Sequence, residues 1–161
     1  MTISKGDRLP DVTMTRIGAE GPETVQLSEL LEGRKVILFG LPGAFTRGCS
    51  QVHVPSFIRT ADKLREKGVD EIVCIAVNDP FVMDAWAEQT GGKAAGIAFL
   101  GDAAGELTRA LGMEFSAPAI GLIGRSNRYA ALVEDGVVTL VQIDEPGQCD
   151  LSTGERFLEA M

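Results

Sequence analysis

The feature that most constrains the fold is an apolar run at positions 35–40 that leads through a turn into a helix. Its β-branched and aromatic residues, bounded by glycine, predict a strand that we expect to lie centrally in a sheet. Pro42-Gly43 directly after it predicts a turn. The apolar-periodic segment 49–68 then predicts a helix, which Pro55 should kink.

A second passage from strand to helix follows. Positions 71–77 are apolar on both alternating faces, as expected for a strand that helices cover on either side. Asn78-Asp79-Pro80 ends this strand and starts a helix over 81–89. Further along, a strand is predicted at 96–100 and a helix at 104–111, whereas 113–124 gives no clear pattern. Strands and helices thus alternate through the middle of the chain.

The N-terminal residues 1–28 predict a β-hairpin or an extended lead-in. Prolines and glycines there surround two short apolar runs, 12–17 and 25–27. Ser28 is then expected to cap one helical turn before Gly33.

The C-terminal part carries a second hairpin signal. Two apolar runs, 128–133 and 137–143, flank Asp135-Gly136, and this is the strongest short-range hairpin pattern in the chain. Ser152-x-x-Glu155 then has the form of a capping box, which predicts a final helix that ends near position 160.

The composition fits one domain over residues 1–161, because 45% hydrophobic residues in a chain of this length can form a single core without staples. Fifteen basic and 23 acidic residues give a net charge of −8, which repels phosphate backbones and anionic membrane surfaces. We therefore expect neither nucleic acid nor a membrane as a partner. The first residues lack a secretory pattern, and no long apolar window is present, so we expect a cytoplasmic protein.

The cysteines point away from a metal site. Cys49, Cys74 and Cys149 are widely spaced, and with His53 as the single histidine they form no C-x-x-C pair and no Cys/His cluster. We expect neither a disulfide framework nor a bound metal.

Cys49 is the candidate nucleophile because it falls at the first turn of the predicted helix. The unpaired N–H groups and the positive end of the helix dipole there favour a thiolate, so we expect a lowered pKa. Thr46, three residues earlier, either caps the helix or binds an oxygen held beside the sulfur.

The pattern Pro42-x-x-x-Thr46-x-x-Cys49, within PGAFTRGCSQVHVPSF, resembles the active-site signature of the peroxiredoxins, and of their type II, or peroxiredoxin-five-like, branch. The resemblance implies an α/β, thioredoxin-like fold with a central mixed sheet flanked by helices. It also implies a thiol peroxidase that reduces hydrogen peroxide and small alkyl hydroperoxides without a metal, flavin or haem cofactor. Family members commonly form homodimers through loops near the active site, and Phe81 is a candidate contact.

The resemblance assigns roles to residues of this motif. Cys49 attacks the peroxide O–O bond, while Thr46 and the backbone amides at Gly48 and Cys49 hold the peroxide oxygens. Pro42 shields the sulfenic acid that forms from water. One position departs from the family, because Arg47 stands where proline is usual. Its charge, two residues from the thiolate, could alter the pKa, substrate entry or the reducing partner.

The family also places an arginine against the reactive sulfur. Arg128, directly before Tyr129, matches that position better than Arg125 does. A guanidinium there would stabilise the thiolate and the charge on the departing oxygen. The alternative for both arginines is a solvated pair on a strand.

Three routes of regeneration stay open, since the oxidised Cys49 would form a disulfide with Cys149, with Cys74 or with an external thiol. Cys74 lies in a buried strand and is expected to be structural, whereas Cys149 lies in a polar turn and should be more accessible. In the family a cysteine in this C-terminal region can resolve the sulfenic acid, so Cys149 is either a resolving cysteine or a spectator. Glutathione, glutaredoxin or thioredoxin would supply the external thiol.

Other interpretations compete with this one. His53, one helical turn after Cys49, is either a packed residue or a base. A thioredoxin-type oxidoreductase would need C-x-x-C, and position 46 holds threonine. A redox-sensing or chaperone-like protein, whose oxidised Cys49 signals to a partner, would differ from a peroxidase in sustaining no steady consumption of peroxide.

Overall fold

The computed structural model describes residues 2–161. Seven strands form the main sheet: β1 (Thr13–Gly18), β2 (Gly21–Gln26), β3 (Lys35–Gly40), β4 (Glu71–Ala76), β5 (Ala98–Gly101), β8 (Tyr129–Glu134) and β9 (Val137–Ile143). Two more, β6 (Glu114–Ala117) and β7 (Leu122–Ser126), pair in a separate hairpin. The helices are α1 (Leu27–Leu31), α2 (Val54–Glu66), α3 (Pro80–Thr90), α4 (Glu106–Ala110) and α5 (Gly154–Ala160).

The main sheet is mixed, with the strand order β2-β1-β5-β4-β3-β8-β9. Strands β3, β4 and β5 run parallel to one another, while β8 pairs antiparallel with β3. The predicted strand at 35–40 therefore lies in the interior of the sheet, between β4 and β8. In this register Gly40 pairs with Tyr129, so the start of β8 lies beside the end of β3.

Alternate side chains of β3 point to two separate cores. Ile37 and Phe39 pack on one face with α2, α3 and α5, and Val36 and Leu38 pack on the other with α1 and α4. This alternation explains why the interior strands read as continuous apolar runs. The arrangement confirms the predicted thioredoxin-like fold, a mixed sheet flanked by helices.

The predicted N-terminal hairpin is confirmed by the pairing of β1 with β2. The prediction that Ser28 caps the next helix is wrong. Helix α1 starts at Leu27, one residue before Ser28. Its N-cap residue is Gln26, whose side chain makes no capping hydrogen bond. Instead, Asp11 reaches across from the preceding segment and accepts the N–H of Ser28 at 3.0 Å.

The C-terminal hairpin is also confirmed. Asp135 and Gly136 both have positive φ, 49° and 81°, as the tight turn between β8 and β9 requires. The predicted capping box is wrong by one residue, because Thr153 is the N-cap of α5 and accepts the N–H of Arg156 at 3.4 Å. Ser152 is buried and binds Asp144 instead.

The predicted helix over 49–68 is two elements. Cys49–His53 forms a π-helical turn, and α2 begins only at Val54, with Pro55 in its first turn. Pro55 therefore does not kink a continuous α-helix, because it lies where a missing N–H costs little. The segment 113–124, which gave no pattern, contains the hairpin of β6 and β7 and the short helical turn Pro118–Ile120 between them. No helix of residues 2–161 combines the length and the apolar character needed to cross a membrane.

Two aspartates at the ends of β4 and β5 allow a matched stability test. The buried carboxylate of Asp102 accepts the N–H groups of Leu107 and Thr108 and the Thr108 hydroxyl, and the exposed Asp79 accepts the N–H of Val82. We expect Asp102→Ala to lower the free energy of unfolding by about 3 kcal/mol, because it leaves several buried donors unpaired.

Asp79→Ala removes the corresponding cap at an exposed position and should lower the free energy of unfolding by only about 1 kcal/mol. Urea denaturation followed by circular dichroism measures both losses. Equal losses of unfolding free energy in the two variants would show that burial does not increase the contribution of Asp102 to stability.

Candidate active site

The candidate site lies where β3 ends and the π-helical turn begins. The loop 41–48 connects the two, and Cys49 at the head of the turn is completely buried. Tyr129 pairs with Gly40, so Arg128, one residue before it, comes next to this loop. The sheet register therefore brings two distant parts of the chain to one place.

Residues outside the motif fix the shape of the loop. Ala44 donates its N–H to Asn78 Oδ1 at 2.9 Å, and Arg125 Nη1 donates to the carbonyl of Pro42 at 3.0 Å. A Cβ at Gly43 would lie 2.2 Å from Arg125 Nη1, so only glycine allows this approach. Arg125 is thus neither solvated nor directed at the sulfur in this structure: it holds the backbone of the loop.

Arg128 is the arginine that faces the sulfur. Its Nη1 lies 3.8 Å from Cys49 Sγ, which is the position that the resemblance implied. The guanidinium passes directly over Gly48, where an added Cβ would be 2.5 Å from Nη2. Glycine at position 48 is therefore a steric requirement of the placement of Arg128.

The thiol of Cys49 is under opposing influences. Burial is the largest and raises its pKa, while the charge of Arg128, the Thr46 hydroxyl and the N–H groups of Gly43 and Cys49 lower it. The net effect raises the pKa of Cys49, opposite to the lowered pKa expected from the helix start. The sequence pattern indicated the stabilising groups but not the complete burial that outweighs them.

The Thr46 hydroxyl has one proton and two neighbours that can accept it. It donates to the carbonyl of Gly43 at 2.7 Å, and it also lies within hydrogen-bonding reach of the Cys49 sulfur. While it donates to the carbonyl, its lone pairs can accept the thiol proton, and when the sulfur is a thiolate, the hydroxyl can turn towards it. Thr46 is therefore suited to follow the protonation state of Cys49.

Two further hydrogen bonds hold the π-helical turn from its other side. Trp86 of α3 donates its indole N–H to Ser50 Oγ at 2.9 Å. His53 Nε2 lies 3.0 Å from the carbonyl of Ser152, and burial lowers the pKa of His53 to about 4. His53 is therefore a neutral, packed residue at physiological pH, with its ring tilted at 45° against that of Phe39. Its role as a base stays without support.

The other two cysteines differ as predicted in exposure. Cys74 is completely buried in β4, and burial raises its pKa well above the ordinary value. Cys149 is half-buried in the loop between β9 and α5, and its pKa is raised to about 11, mainly by burial. The charge of Asp150 also raises the pKa of Cys149 but is only a minor cause. All three thiols are unpaired.

Asp144 organises the loop that carries Cys149. Its carboxylate accepts the N–H groups of Asp150, Leu151 and Ser152 at 2.8–3.1 Å. These bonds lower the pKa of the Asp144 carboxyl against the effect of its burial. The charges of Arg128 and Cys49 both affect the pKa of the Cys149 thiol, which indicates that this loop lies near the candidate nucleophile.

A cleft of about 490 Å³ opens beside the site. Pro42, Thr46, Gly48 and Arg128 line this cleft, and Arg47 lines it as well. The hairpin of β6 and β7 and the loop before Cys149 form the remaining wall. The cleft thus brings together the motif residues and two segments that the sequence pattern did not connect.

The sequence patterns missed several residues that shape the site. Asn78 was assigned only to the end of a strand, although an amide side chain at that sheet edge is a signal for contact with the adjacent loop. The contact of Trp86 with Ser50 joins residues 36 positions apart, and nothing in the sequence pattern indicated that Asp144 binds the N–H groups of the loop after it. Within residues 2–161 no cluster of three or more His, Cys, Asp or Glu side chains could hold a metal ion.

The chain is similar to known proteins over nearly all of its length. The Redoxin family profile matches residues 4–157. Peroxiredoxin-2E-2, chloroplastic, of Oryza sativa subsp. japonica is 48% identical, covering 99% of this chain and 73% of that protein. Peroxiredoxin-2B of Arabidopsis thaliana is 42% identical, covering 99% of this chain and 98% of that protein.

A solved structure extends the similarity to three dimensions. The crystal structure of reduced Prx3 from Vibrio vulnificus in complex with H₂O₂ superposes with a TM-score of 0.92 at 41% identity, covering 99% of each chain. The sequence similarity, the fold and the surroundings of Cys49 therefore all indicate the same family. The chain belongs to the peroxiredoxin family, in its type II branch, and is a thiol peroxidase.

Proposed function

We propose that Cys49 is the peroxidatic cysteine and that Thr46, Gly48, Arg128 and Pro42 form its pocket. The observation that supports this most directly is the 3.8 Å contact between Arg128 Nη1 and Cys49 Sγ at the head of the π-helical turn. Hydrogen peroxide, which is bound by the similar Vibrio protein, and small alkyl hydroperoxides are the proposed substrates.

In the proposed step the sulfur of Cys49 attacks one peroxide oxygen and the O–O bond breaks. The sulfur becomes sulfenic acid, and the departing oxygen leaves as water or alcohol after taking up the proton that the thiol gave up. Thr46 is placed to pass that proton, because its hydroxyl is within reach of the sulfur. Arg128 stabilises first the thiolate and then the departing oxygen.

The neighbouring backbone completes the proposed pocket. The N–H groups of Gly48 and Cys49 lie at the start of the helical segment, where backbone donors can bind developing negative charge. Pro42 lies on the wall of the cleft and contributes no N–H, so it keeps water from the sulfenic acid. No metal or organic cofactor takes part in this step.

An external thiol is the proposed reductant, supplied by glutathione, glutaredoxin or thioredoxin. The proposal is supported by the raised pKa of Cys149, about 11, because so little thiolate at neutral pH makes this cysteine a slow attacking group. Cys74 is a poor alternative, since its thiol is fully enclosed in β4. A reducing compartment such as the cytoplasm suits three unpaired thiols, and cell fractionation would check this location.

A homodimer is proposed as the working form. Three large apolar side chains are exposed: Phe45 by 51%, Phe81 by 63% and Ile120 by 74%. Ile120 lines the same cleft as Thr46, the residue after Phe45. Large apolar side chains exposed at one end of a sheet are a common mark of an interface. A second copy of the chain is the proposed occupant of this face.

The first test replaces the nucleophile. Cys49→Ser should abolish peroxide consumption, because serine keeps the volume but supplies no ionisable sulfur at neutral pH. A coupled assay with a thiol reductant measures the activity, and circular dichroism checks that the fold is intact. Undiminished turnover by this variant would refute the proposal. If wild type itself reacts too slowly to sustain steady consumption of peroxide, a redox sensor would be favoured instead.

The second test compares the two arginines. Arg128→Lys should lower kcat/KM for peroxide by roughly 10- to 100-fold, since lysine lacks the planar fork beside the sulfur. Arg125→Lys should lose less, because a single ammonium N–H can still reach the Pro42 carbonyl. Similar losses in both variants, or the reverse order, would show that Arg125 is the residue the chemistry needs.

The third test concerns regeneration. Cys149→Ala should match wild type with glutathione and glutaredoxin, which attack the sulfenic acid directly. A loss confined to thioredoxin would identify Cys149 as the resolving cysteine. Cys74→Ser should keep its turnover with every reductant. Rapid stoichiometric formation of a disulfide between Cys49 and Cys149, detected by mass spectrometry, would overturn the proposed external reductant.

The fourth test concerns assembly. Phe81→Glu should shift sedimentation from dimer towards monomer, because it introduces a charge into the proposed apolar interface. Ala94→Glu adds the same charge at an exposed position in the turn after α3 and serves as the control. A wild-type protein that sediments as a monomer at micromolar concentration would refute the dimer.

A further inference from the structure

His53 is a buried polar side chain that the proposed chemistry leaves unused. It ends the π-helical turn, is completely buried, and its ring lies beside the rings of Phe39 and Phe57. Its Nε2 carries the ring proton, because the partner 3.0 Å away is the carbonyl of Ser152, which can only accept. Nδ1 has no hydrogen-bond partner in residues 2–161. An apolar ring would pack here without an unpaired atom, so the bond to Ser152 is the contact that packing alone does not explain.

The partner of His53 belongs to a loop, residues 144–152, that we call the anchored loop. Four hydrogen bonds end on the buried Asp144 carboxylate, from the N–H and the hydroxyl of Ser152 and from the N–H groups of Asp150 and Leu151. The backbone N–H of Asp144 donates to the carbonyl of Arg128 at 3.0 Å. The position of the Ser152 carbonyl is therefore fixed relative to the start of β8.

The side chain of His53 joins the anchored loop to the π-helical turn. Within residues 2–161 it makes the one hydrogen bond between these two segments. Helix α5 is attached separately, since Gly154 donates its N–H to Ser56 Oγ of α2 at 2.8 Å. A disturbance of the Asp144 anchor can therefore reach the turn through His53 while α5 stays joined to α2.

We propose that His53 is a positioning residue: through Ser152 it couples the π-helical turn to the anchored loop, so that the two open and close together. With both in place, as in this structure, Cys49 Sγ is buried and lies 3.8 Å from Arg128 Nη1. When both have opened, the sulfur is exposed to an external thiol, a consequence that rests on the peroxidase function proposed above. His53 acts through its hydrogen bond and takes no part in the bond changes.

The burial of His53 makes this coupling depend on pH. Burial lowers the pKa of His53 from 6.5 to about 4; its own hydrogen bond and Asp144 oppose that effect, and Arg128 adds to it. The side chains that face the ring from β3 and α2 are Phe39 and Phe57, which carry no charge. The pKa of Asp144 is itself lowered, so its carboxylate keeps its charge. The ring is neutral in place and can take up a proton once open. The closed arrangement is therefore favoured above pH 6.5 and loses this preference as the pH falls towards 4.

Two cysteines of the chain report on different openings. Cys49 is completely buried in the turn, and Cys74 is completely buried in β4. The reduced protein is treated with a maleimide that carries a bulky biotin group, and peptide mass spectrometry gives the labelling rate of each thiol. When reclosing is fast, the labelling rate of a buried thiol follows its opening equilibrium. Labelling of Cys74 measures global unfolding and is the internal control.

A double-mutant cycle tests the coupling. Asp144→Asn weakens the anchor and should raise the labelling rate of Cys49 about threefold to tenfold, the effect of losing one buried hydrogen bond. In a His53→Phe background the same change should leave the Cys49 rate unaltered, because the path through Ser152 is already lost. Glu155→Gln breaks an exposed ion pair between α5 and α2 and should leave the Cys49 rate as it was in either background.

A milder variant keeps the cycle decisive. If Asp144→Asn also raises the labelling of Cys74, Ser152→Ala replaces it, since that change removes only the hydroxyl bond to the anchor and keeps the carbonyl that His53 binds. The same responses of Cys49 are then expected in the two backgrounds.

The pH profile separates positioning from packing. His53→Gln keeps a side-chain N–H for the Ser152 carbonyl but cannot take up a proton, so it should retain the response to Asp144→Asn. The Cys49 labelling rate of wild type, divided by that of His53→Gln, should rise about tenfold between roughly pH 7.5 and 5.5. The thiolate fraction of Cys49 cancels in this ratio.

An equal rise from Asp144→Asn with and without His53, or a ratio that stays flat with pH, would overturn the inference. Neither result bears on the peroxidase function, because labelling requires no peroxide. That function fails instead if Cys49→Ser still consumes peroxide, an outcome that leaves the coupling of the turn to the anchored loop untouched.

Discussion

The pairing of β3 with β8 is the constraint on which the site depends. Gly40 lies opposite Tyr129, and a Cβ at Gly40 would be 2.2 Å from the tyrosine ring, so the register tolerates little change. A slip of one residue would turn every side chain of β8 to the other face of the sheet. Arg128 would then lose its contact with Cys49, although no residue of the motif had changed. The motif is therefore necessary for the site but does not by itself define it.

The surroundings of Cys49 balance two opposite demands. A buried sulfur is protected from water and from unwanted oxidants, but burial disfavours the thiolate that attacks peroxide. Arg128, Thr46 and two backbone N–H groups oppose that effect without fully cancelling it. Arg128 approaches closely because glycine stands at position 48, and glycine at position 43 lets Arg125 reach the loop that carries Thr46. Small residues around the cysteine thus allow a polar environment inside an apolar core.

The parts of the fold that were predictable depend on local patterns. The interior strands, the Asp135-Gly136 turn and the position of Cys49 after a strand and turn follow from periodicity and turn chemistry. Other features depend on tertiary contacts that no local pattern indicates. The cap that Asp11 provides to α1, the binding of Ser152 by Asp144 and the burial that raises the pKa of Cys49 are examples. The hairpin of β6 and β7 was missed because its strands are short and leave Ile120 and Ile123 exposed.

The proline at the start of α2 separates two units of local stability. Val54 donates its N–H to the carbonyl of Cys49, and this is the bond that closes the π-helical turn, but Pro55 has no N–H with which to continue the ladder. The turn is consequently held by side-chain contacts, those of Ser50 with Trp86 and of His53 with Ser152, and α2 is held by its own backbone bonds and its apolar face. We therefore expect amide protons of the turn and of α2 to exchange in different opening events, with α2 still folded when the turn opens.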